Sequence, residues 1–185
     1  SDVCSSDLVK VGQALAQVRD LSNLLRPSAL DDLGLSAALR ALASDVADRS
    51  RITVDLDIQI GGATFTPEIE VVVYRVVQEA LTNIRKHSTA HHAEVEVHRM
   101  GDDVRVRVRD FGCGFDVDES RKHGFGLTGM MERVRLAGGT FRVESQPGAG
   151  TEIVALLPIA AAADHAESAI RPTDYAAAAS GVLAR

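Results

Sequence analysis

The sequence predicts an α+β domain, and three observations carry that prediction. Apolar residues recur at the three-to-four-residue spacing of buried helix faces within 9–25, 35–50 and 69–87. Apolar and polar residues alternate within 52–58, 94–97 and 104–109, the period of a strand with one wet face. Glycine and proline fall at the joints between these stretches and punctuate them. The chain has 185 residues, enough for one domain of ordinary size with extensions. Apolar residues make up 45% of it and aromatics only 4%, with no Trp, so Val, Leu, Ile and Ala must fill the core.

Residues 1–8 are polar and without pattern, and are read as a leader. Val11, Leu15, Val18, Leu21 and Leu25 define a first helix over 9–25, closed by Pro27, which pushes the preceding residue out of helical geometry. That helix has nothing local to pack on and is expected to meet a partner chain or a missing neighbour, the alternative being a helix folded back on the main domain. Residues 28–33 read as a connector, with Asp32 placed to cap the next helix. Leu35, Ala38, Leu39, Leu42 and Val46 give that helix, ending near Ser50. The strand over 52–58 follows, and Gly61 and Gly62 turn the chain. Pro67 opens the long helix, a position that tolerates proline, and Ile69, Val72, Val73, Val76, Val77, Ala80, Leu81 and Ile84 form its apolar face.

A hairpin comes next, turning at Gly101 and Asp102. Its valines face the core, and its glutamates and arginines face water, where they pair across strands. The polar stretch 116–123 lacks periodicity and reads as a mobile loop. A short helix with Met131, Val134 and Leu136 follows and stops at Gly138 and Gly139. Strands over 140–145 and 151–157, joined by a turn over 147–150, complete the domain at Pro158. The alanine-rich tail over 160–185 would bury no face and is expected to be disordered or loosely helical.

Composition excludes several classes. The net charge of −6 and the scattered Arg and Lys argue against a general nucleic-acid binder. The arginines at 105, 107 and 109 keep a period of two against facing glutamates, so they read as a solvated face. Cys4 and Cys113 match no metal spacing and are expected to be free thiols in a reducing cytoplasm. His91 and His92 point to opposite faces of a strand, which disfavours a metal pair. No run approaches the ~20 apolar residues of a membrane span, and no secretory signal is seen.

Three pieces carry chemistry. Glu79, Asn83 and His87 step by four along the border of the long helix's apolar face, which sets a carboxylate, a carboxamide and an imidazole in one stripe. Alone, that stripe fits a solvated helix flank equally well. Asp110, Gly112 and Gly114 form Asp-x-Gly-x-Gly at a strand end, where the carboxylate can reach a ligand amine and the glycines admit a ring. Alone, it fits a turn. Gly124 and Gly126 open a helix whose first amides favour an anion. Alone, they fit a loop hinge, and the spacing is neither a P-loop nor a dinucleotide fingerprint.

The ordered set of these pieces, with Gly148-x-Gly150-Thr151 opening the last strand, resembles the ATP-binding catalytic domain of sensor histidine kinases. These belong to the superfamily that also includes gyrase, the ninety-kilodalton heat-shock chaperones and mismatch-repair ATPases. Tyr74-Arg75-Val76-Val77-Gln78-Glu79-Ala80-Leu81-Thr82-Asn83 and Gly126-Leu127-Thr128-Gly129-Met130-Met131-Glu132-Arg133 look like its NarL-type branch. So does the linker of Leu25-Arg26-Pro27 followed by Leu33-Gly34-Leu35. The resemblance covers about residues 9–158. It implies a two-layer α/β sandwich of the Bergerat type, a mixed sheet of about five strands against three helices, preceded by one helix.

The resemblance also implies roles. Asn83 would bind the Mg²⁺ that bridges the ATP phosphates, and Glu79 would orient or deprotonate water or the acceptor group. Lys86 and His87 would contact phosphate, although His87 also fits a structural role. Asp110 would accept from the exocyclic amine of adenine, and Gly112 and Gly114 would shape the pocket, with Cys113 a small filler between them. Gly124, Gly126, Leu127 and Thr128 would lie in the lid and helix start over the phosphates, and Thr151 would support the base through water. The chain divides accordingly into a leader and remnant of a dimerisation helix over 1–27, the ATP-binding domain over 28–158, and the tail over 159–185.

The implied partners are ATP, an acceptor-histidine domain, a NarL-type DNA-binding response regulator, and a second copy through the N-terminal helix. The implied location is the cytoplasm, with a parent protein anchored in the inner membrane. One feature of such kinases is missing, because the Arg-x-x-His-Asp-like acceptor stretch is absent. None of the histidines at 87, 91, 92, 98, 123 and 165 lies within 9–25. The chain is therefore expected to phosphorylate a histidine supplied in trans. The alternatives are a serine kinase of the anti-sigma type, against which the linker and Met-Met-Glu-Arg stand, and a non-catalytic nucleotide-binding regulator.

Overall fold

A computed structural model describes residues 26–63, 65–117 and 125–159. The helix expected over 9–25, Gly124 and most of the loop expected over 116–123, and the tail over 160–185 lie outside the described residues, as do Cys4, His123 and His165. The elements run α1 (Ser28–Arg49), β1 (Thr53–Gln59), α2 (Pro67–His87), β2 (His92–Met100), β3 (Asp103–Asp110), α3 (Phe125–Leu136), β4 (Thr140–Ser145) and β5 (Thr151–Pro158). The strands form one five-stranded sheet in the order β1-β2-β3-β5-β4. β1 and β2 are parallel, as the intervening α2 requires, and the other pairs are antiparallel. The helices cover one face, so the molecule is the expected two-layer sandwich.

The core lies between α2 and the centre of the sheet. Val95 and Val97 of β2, Val104 and Val106 of β3, and Ala155 and Leu157 of β5 are fully buried against Val73, Val76 and Leu81 of α2. The register pairs Val95 with Val108 and Val97 with Val106, so alternate residues across the sheet share this face. The opposite face carries charge. Arg107 bonds Glu96 at 2.6 Å and Glu152 at 2.7 Å, and Arg105 bonds Glu96 at 3.0 Å. Partial burial works against the Arg107 cation, but bonds to Glu152 and Glu96 prevail and hold its pKa above the ordinary value. Arg105 and Arg107 are thus a paired outer face, and Arg109 lies over the Phe111 ring at 4.7 Å.

α2 follows from its sequence. The Thr66 hydroxyl accepts from the Ile69 amide at 3.4 Å, Pro67 takes the first helical position, and Glu68 and Glu70 lie in the first turn. Arg85, Lys86 and His87 fill the last turn, where cations complement the helix dipole. Arg26 ties the preceding chain to this helix start. Its guanidinium donates to Asp31 at 2.5 Å, to Glu70 at 2.6 Å and to the Pro67 carbonyl at 3.1 Å.

One expectation needs correction. Residues 28–33 are helical and not a connector: Leu30 is buried in the core and its amide donates to the Pro27 carbonyl at 2.9 Å. The break comes at Gly34, whose φ of 72° only glycine adopts easily, so Asp32 lies inside a helical turn and does not cap the next one. In α3 Met130 and Val134 are buried, with Leu127 and, just past the helix, Ala137 half-buried beside them, while Met131 and Leu136 are exposed. The 3-4-3 spacing of the observed set is the helical period. No described helix is long and apolar enough to cross a membrane.

Candidate functional site

The site is assembled at the C-terminal end of α2, where the ends of β3 and β4 and the start of β5 meet it. Asp110 is the last residue of β3, and register sets it beside Ala93 of β2 and Thr151 of β5 on the helix-covered face. At 4% exposure it is the only buried polar or charged residue among those described. A buried carboxylate is costly unless its oxygens find donors. Two reach Oδ1: the Ser88 hydroxyl at 2.7 Å and the Gly112 amide at 2.9 Å. Oδ2 receives no hydrogen bond from the described residues.

The glycines after Asp110 are sterically enforced. A Cβ at Gly112 would strike Ser88 Oγ and come within 2.9 Å of both the Ala90 amide nitrogen and Asp110 Oδ1. Gly114 has a φ of 56°, and a Cβ there would strike the Gln146 carbonyl oxygen and lie 2.8 Å from that of Gly150. Between them, Cys113 is exposed and lies 3.4 Å from the His87 carbonyl, so it fills no interior space as was expected of it. Thr151 is half-buried and bonded to Ser145 at 3.1 Å. Ser145 also receives the Phe115 amide and donates to the Gly150 carbonyl, each at 2.9 Å, which ties the Asp-x-Gly-x-Gly loop to the β4–β5 turn.

One and two turns back along α2, Asn83 and Glu79 are half-buried. The start of α3 lies on them: a Cβ at Gly126 would be 2.5 Å from Glu79 Oε1 and 3.5 Å from Asn83 Nδ2. A helix N-terminus beside a carboxylate and a carboxamide is a favourable pairing of dipole and charge. Leu127 packs against the core and Thr128 is exposed. Lys86 and His87 are exposed on the last turn of α2. Of the residues singled out in the sequence, the fold therefore makes two groups, Asp110 with Gly112, Gly114 and Thr151, and Glu79 and Asn83 with Gly126. Gly124 lies outside the described residues.

The donor set fits a particular kind of cation. Glu79 and Asn83 present oxygen ligands on successive turns, but no three His, Cys, Asp or Glu cluster as a metal cage among the described residues. Such a set suits a hard ion held mainly by phosphates and water, as Mg²⁺ usually is. A separate open cleft of about 220 Å³ lies between the ends of α1 and α2 and is lined by Arg51, Arg85 and Ser88 among others. It holds none of Glu79, Asn83, Asp110 or Thr151, and touches the site only through Ser88.

Sequence reasoning missed Ser88 and Ser145. Ser88 was detectable only as a hydroxyl directly after the long helix. Ser145 was detectable by pairing 145 with 151 across the expected turn, which is the observed register.

Comparison with known proteins follows the same lines. The family of histidine kinase-, DNA gyrase B- and HSP90-like ATPases matches residues 68–161. The signal transduction histidine-protein kinase/phosphatase DegS of Brevibacillus brevis is 38% identical over 149 residues, which is 80% of this chain and 39% of that protein. The chain thus spans about two fifths of the length of that relative. The histidine kinase domain of the Erythrobacter litoralis EL346 blue-light activated histidine kinase is 22% identical, with a TM-score of 0.58 over 68% of this chain and 65% of that one. The Acinetobacter baumannii histidine kinase AdeS is 15% identical, with a TM-score of 0.57 over 86% of this chain and 85% of that one. At these identities the solved structures speak to the fold, which they share.

Proposed function

The chain belongs to the histidine kinase-, DNA gyrase B- and HSP90-like ATPase family, and from that premise we propose that it is the ATP-binding catalytic domain of a sensor histidine kinase. The observation that carries this reading is Asp110, a buried carboxylate with one oxygen bonded by Ser88 and Gly112 and the other receiving no bond among the described residues. Similarity to a protein named as a signal transduction histidine kinase/phosphatase supports the kinase context.

Mg·ATP, when bound, supplies a transferable γ-phosphoryl group and the cation that offsets its charge. Asp110 Oδ2 accepts from the 6-amino group of adenine, and the bare backbone at Gly112 and Gly114 leaves room for the ring. Thr151, beside Asp110 in register, supports the base through water. The Asn83 carboxamide oxygen holds Mg²⁺. Glu79, one turn away, orients the acceptor imidazole or takes its proton. Lys86 and His87 contact phosphate from the last turn of α2. Gly126, Leu127 and Thr128 would cover the phosphates from the start of α3, with Gly124 preceding them in sequence, and the amides of a helix N-terminus favour an anion. Most of the rate enhancement in phosphoryl transfer comes from such positioning and charge neutralisation.

The acceptor is a histidine on a separate helical hairpin, and the receiver is a NarL-type response regulator. In this reading residues 28–158 form the catalytic unit, and the segment within 1–27 is where a second copy would meet it. The domain works in the cytoplasm, within a longer parent anchored in the inner membrane. The test is incubation with radiolabelled ATP, Mg²⁺ and an added acceptor hairpin. Label that appears on the hairpin and is lost in acid, as phosphohistidine is, is expected. Acid-stable label, or label on this chain without an added acceptor, would overturn the reading.

A further inference from the structure

We infer that Ser88 is a positioning residue that sets the nucleotide selectivity of Asp110, an inference that rests on the ATP reading above. Ser88 is the residue that follows α2, and its hydroxyl sits between two partners. Oγ accepts from the Ala90 amide at 3.1 Å, and Oγ lies 2.7 Å from Asp110 Oδ1. Because the hydroxyl already accepts from Ala90, its own hydrogen is directed to the carboxylate. The amide of Gly112 donates to the same oxygen at 2.9 Å. Two donors on Oδ1 fix the rotation of the carboxylate about its Cβ–Cγ bond and leave Oδ2 as an acceptor.

On its Gly112 side the serine is tightly covered, although the residue is only half-buried. The Cβ position of Gly112 falls on Ser88 Oγ, so the loop backbone lies directly over the Ser88–Asp110 bond. Asp110 is also held laterally, since Gly150 approaches its carbonyl so closely that a Cβ there would collide with it. Main chain therefore fixes where Asp110 stands, and Ser88 fixes which way its free oxygen faces. A carboxylate oxygen that only accepts selects a ligand with an amino group in reach and rejects one without. Without the Ser88 hydroxyl, the carboxylate can turn, and the free oxygen no longer demands a donor at one place. Ser88 also comes from the end of the helix that carries Glu79 and Asn83, so one element sets both the metal-facing side chains and the base-reading oxygen.

The test compares affinities for ATP and for purine riboside triphosphate, which lacks only the 6-amino group, in the wild type and in Ser88→Ala, Ser88→Cys and Ser88→Thr. Circular dichroism establishes that each variant is folded. The expected result is a roughly tenfold narrowing of the affinity ratio in Ser88→Ala, the size expected for a hydrogen bond to a charged group. Ser88→Cys keeps the volume with a poor donor, so it narrows the ratio too and carries the test if the alanine variant does not fold. Ser88→Thr keeps the hydroxyl and keeps the ratio. A serine that merely held the loop would lower both affinities together and leave the ratio alone. An unchanged ratio in folded Ser88→Ala or Ser88→Cys, or an equal loss in Ser88→Thr, would overturn the inference. A wild type that binds neither nucleotide would instead overturn the ATP reading, and this inference with it.

Discussion

Gly114 and Gly126 show how one residue type serves two ends at this site. At Gly114 a methyl group would meet two main-chain carbonyls from a left-handed backbone, and neither carbonyl can move aside. Gly114→Ala is expected to cost about 1–3 kcal/mol of stability in urea unfolding. At Gly126 the methyl group would meet only the end of the Glu79 side chain, at 2.5 Å, and that end can swing away. Gly126→Ala is therefore expected to leave stability within about 1 kcal/mol of wild type, since alanine is the better helix former. It should nonetheless slow phosphoryl transfer, because Glu79 is displaced. Equal losses of stability in the two variants would contradict this account. Asp110 and its glycines were legible in the sequence because glycine at a strand end is conspicuous. Ser88 was not, because a serine after a helix is commonplace and its partner lies 22 residues further on.

At the scale of elements, α2 governs both the core and the site. Its start rests on the Thr66 cap, with Glu68 two residues on. The pKa of Glu68 is lowered from 4.5, first by its own backbone amide and then by the Thr66 hydroxyl. A carboxyl with a depressed folded-state pKa contributes stability above its unfolded value and loses it as pH falls through the folded value. The advantage of wild type over Glu68→Gln should therefore be present at neutral pH and vanish in acid. Thr66→Ala should cost about 0.5–1 kcal/mol, toward the lower end for a cap whose bond is long. A Glu68→Gln deficit that persists in acid would assign the effect to packing. The long periodic stretches 69–87 and 104–109 were readable because many residues agree on one face. The short α3 shows its buried face less plainly, since Met130 and Val134 are its fully buried positions among those described. The helical turn over 28–33 was also hidden, since Leu30 finds its place only when the sheet and α2 are present.

At the scale of the molecule, core and site are one construction, since the strands that bury Val95, Val106 and Leu157 end where Asp110 and Thr151 stand. The described residues within 26–159 hold the five-stranded sheet and the helices α1, α2 and α3. A protein of these residues alone is expected to unfold in a single transition and to bind ATP with the affinity of the whole chain. A marked loss of affinity would mean that a terminal segment contributes to the site. Fold class, sheet and site order were legible because each weak motif kept its place in the sequence of elements. The carboxylate's second coordination, from Ser88 and the Gly112 amide, needed three dimensions.

The central claim is that Asp110 reads a nucleotide base beside a cation site built on Asn83. Calorimetric titration of ATP into the chain and into Asp110→Asn, each with and without Mg²⁺, tests it most directly. Binding by the wild type that responds to Mg²⁺ and falls at least tenfold in Asp110→Asn is predicted, about the value of one charged hydrogen bond. Folded wild type that binds no ATP, or that binds it equally well with asparagine at 110, would contradict it.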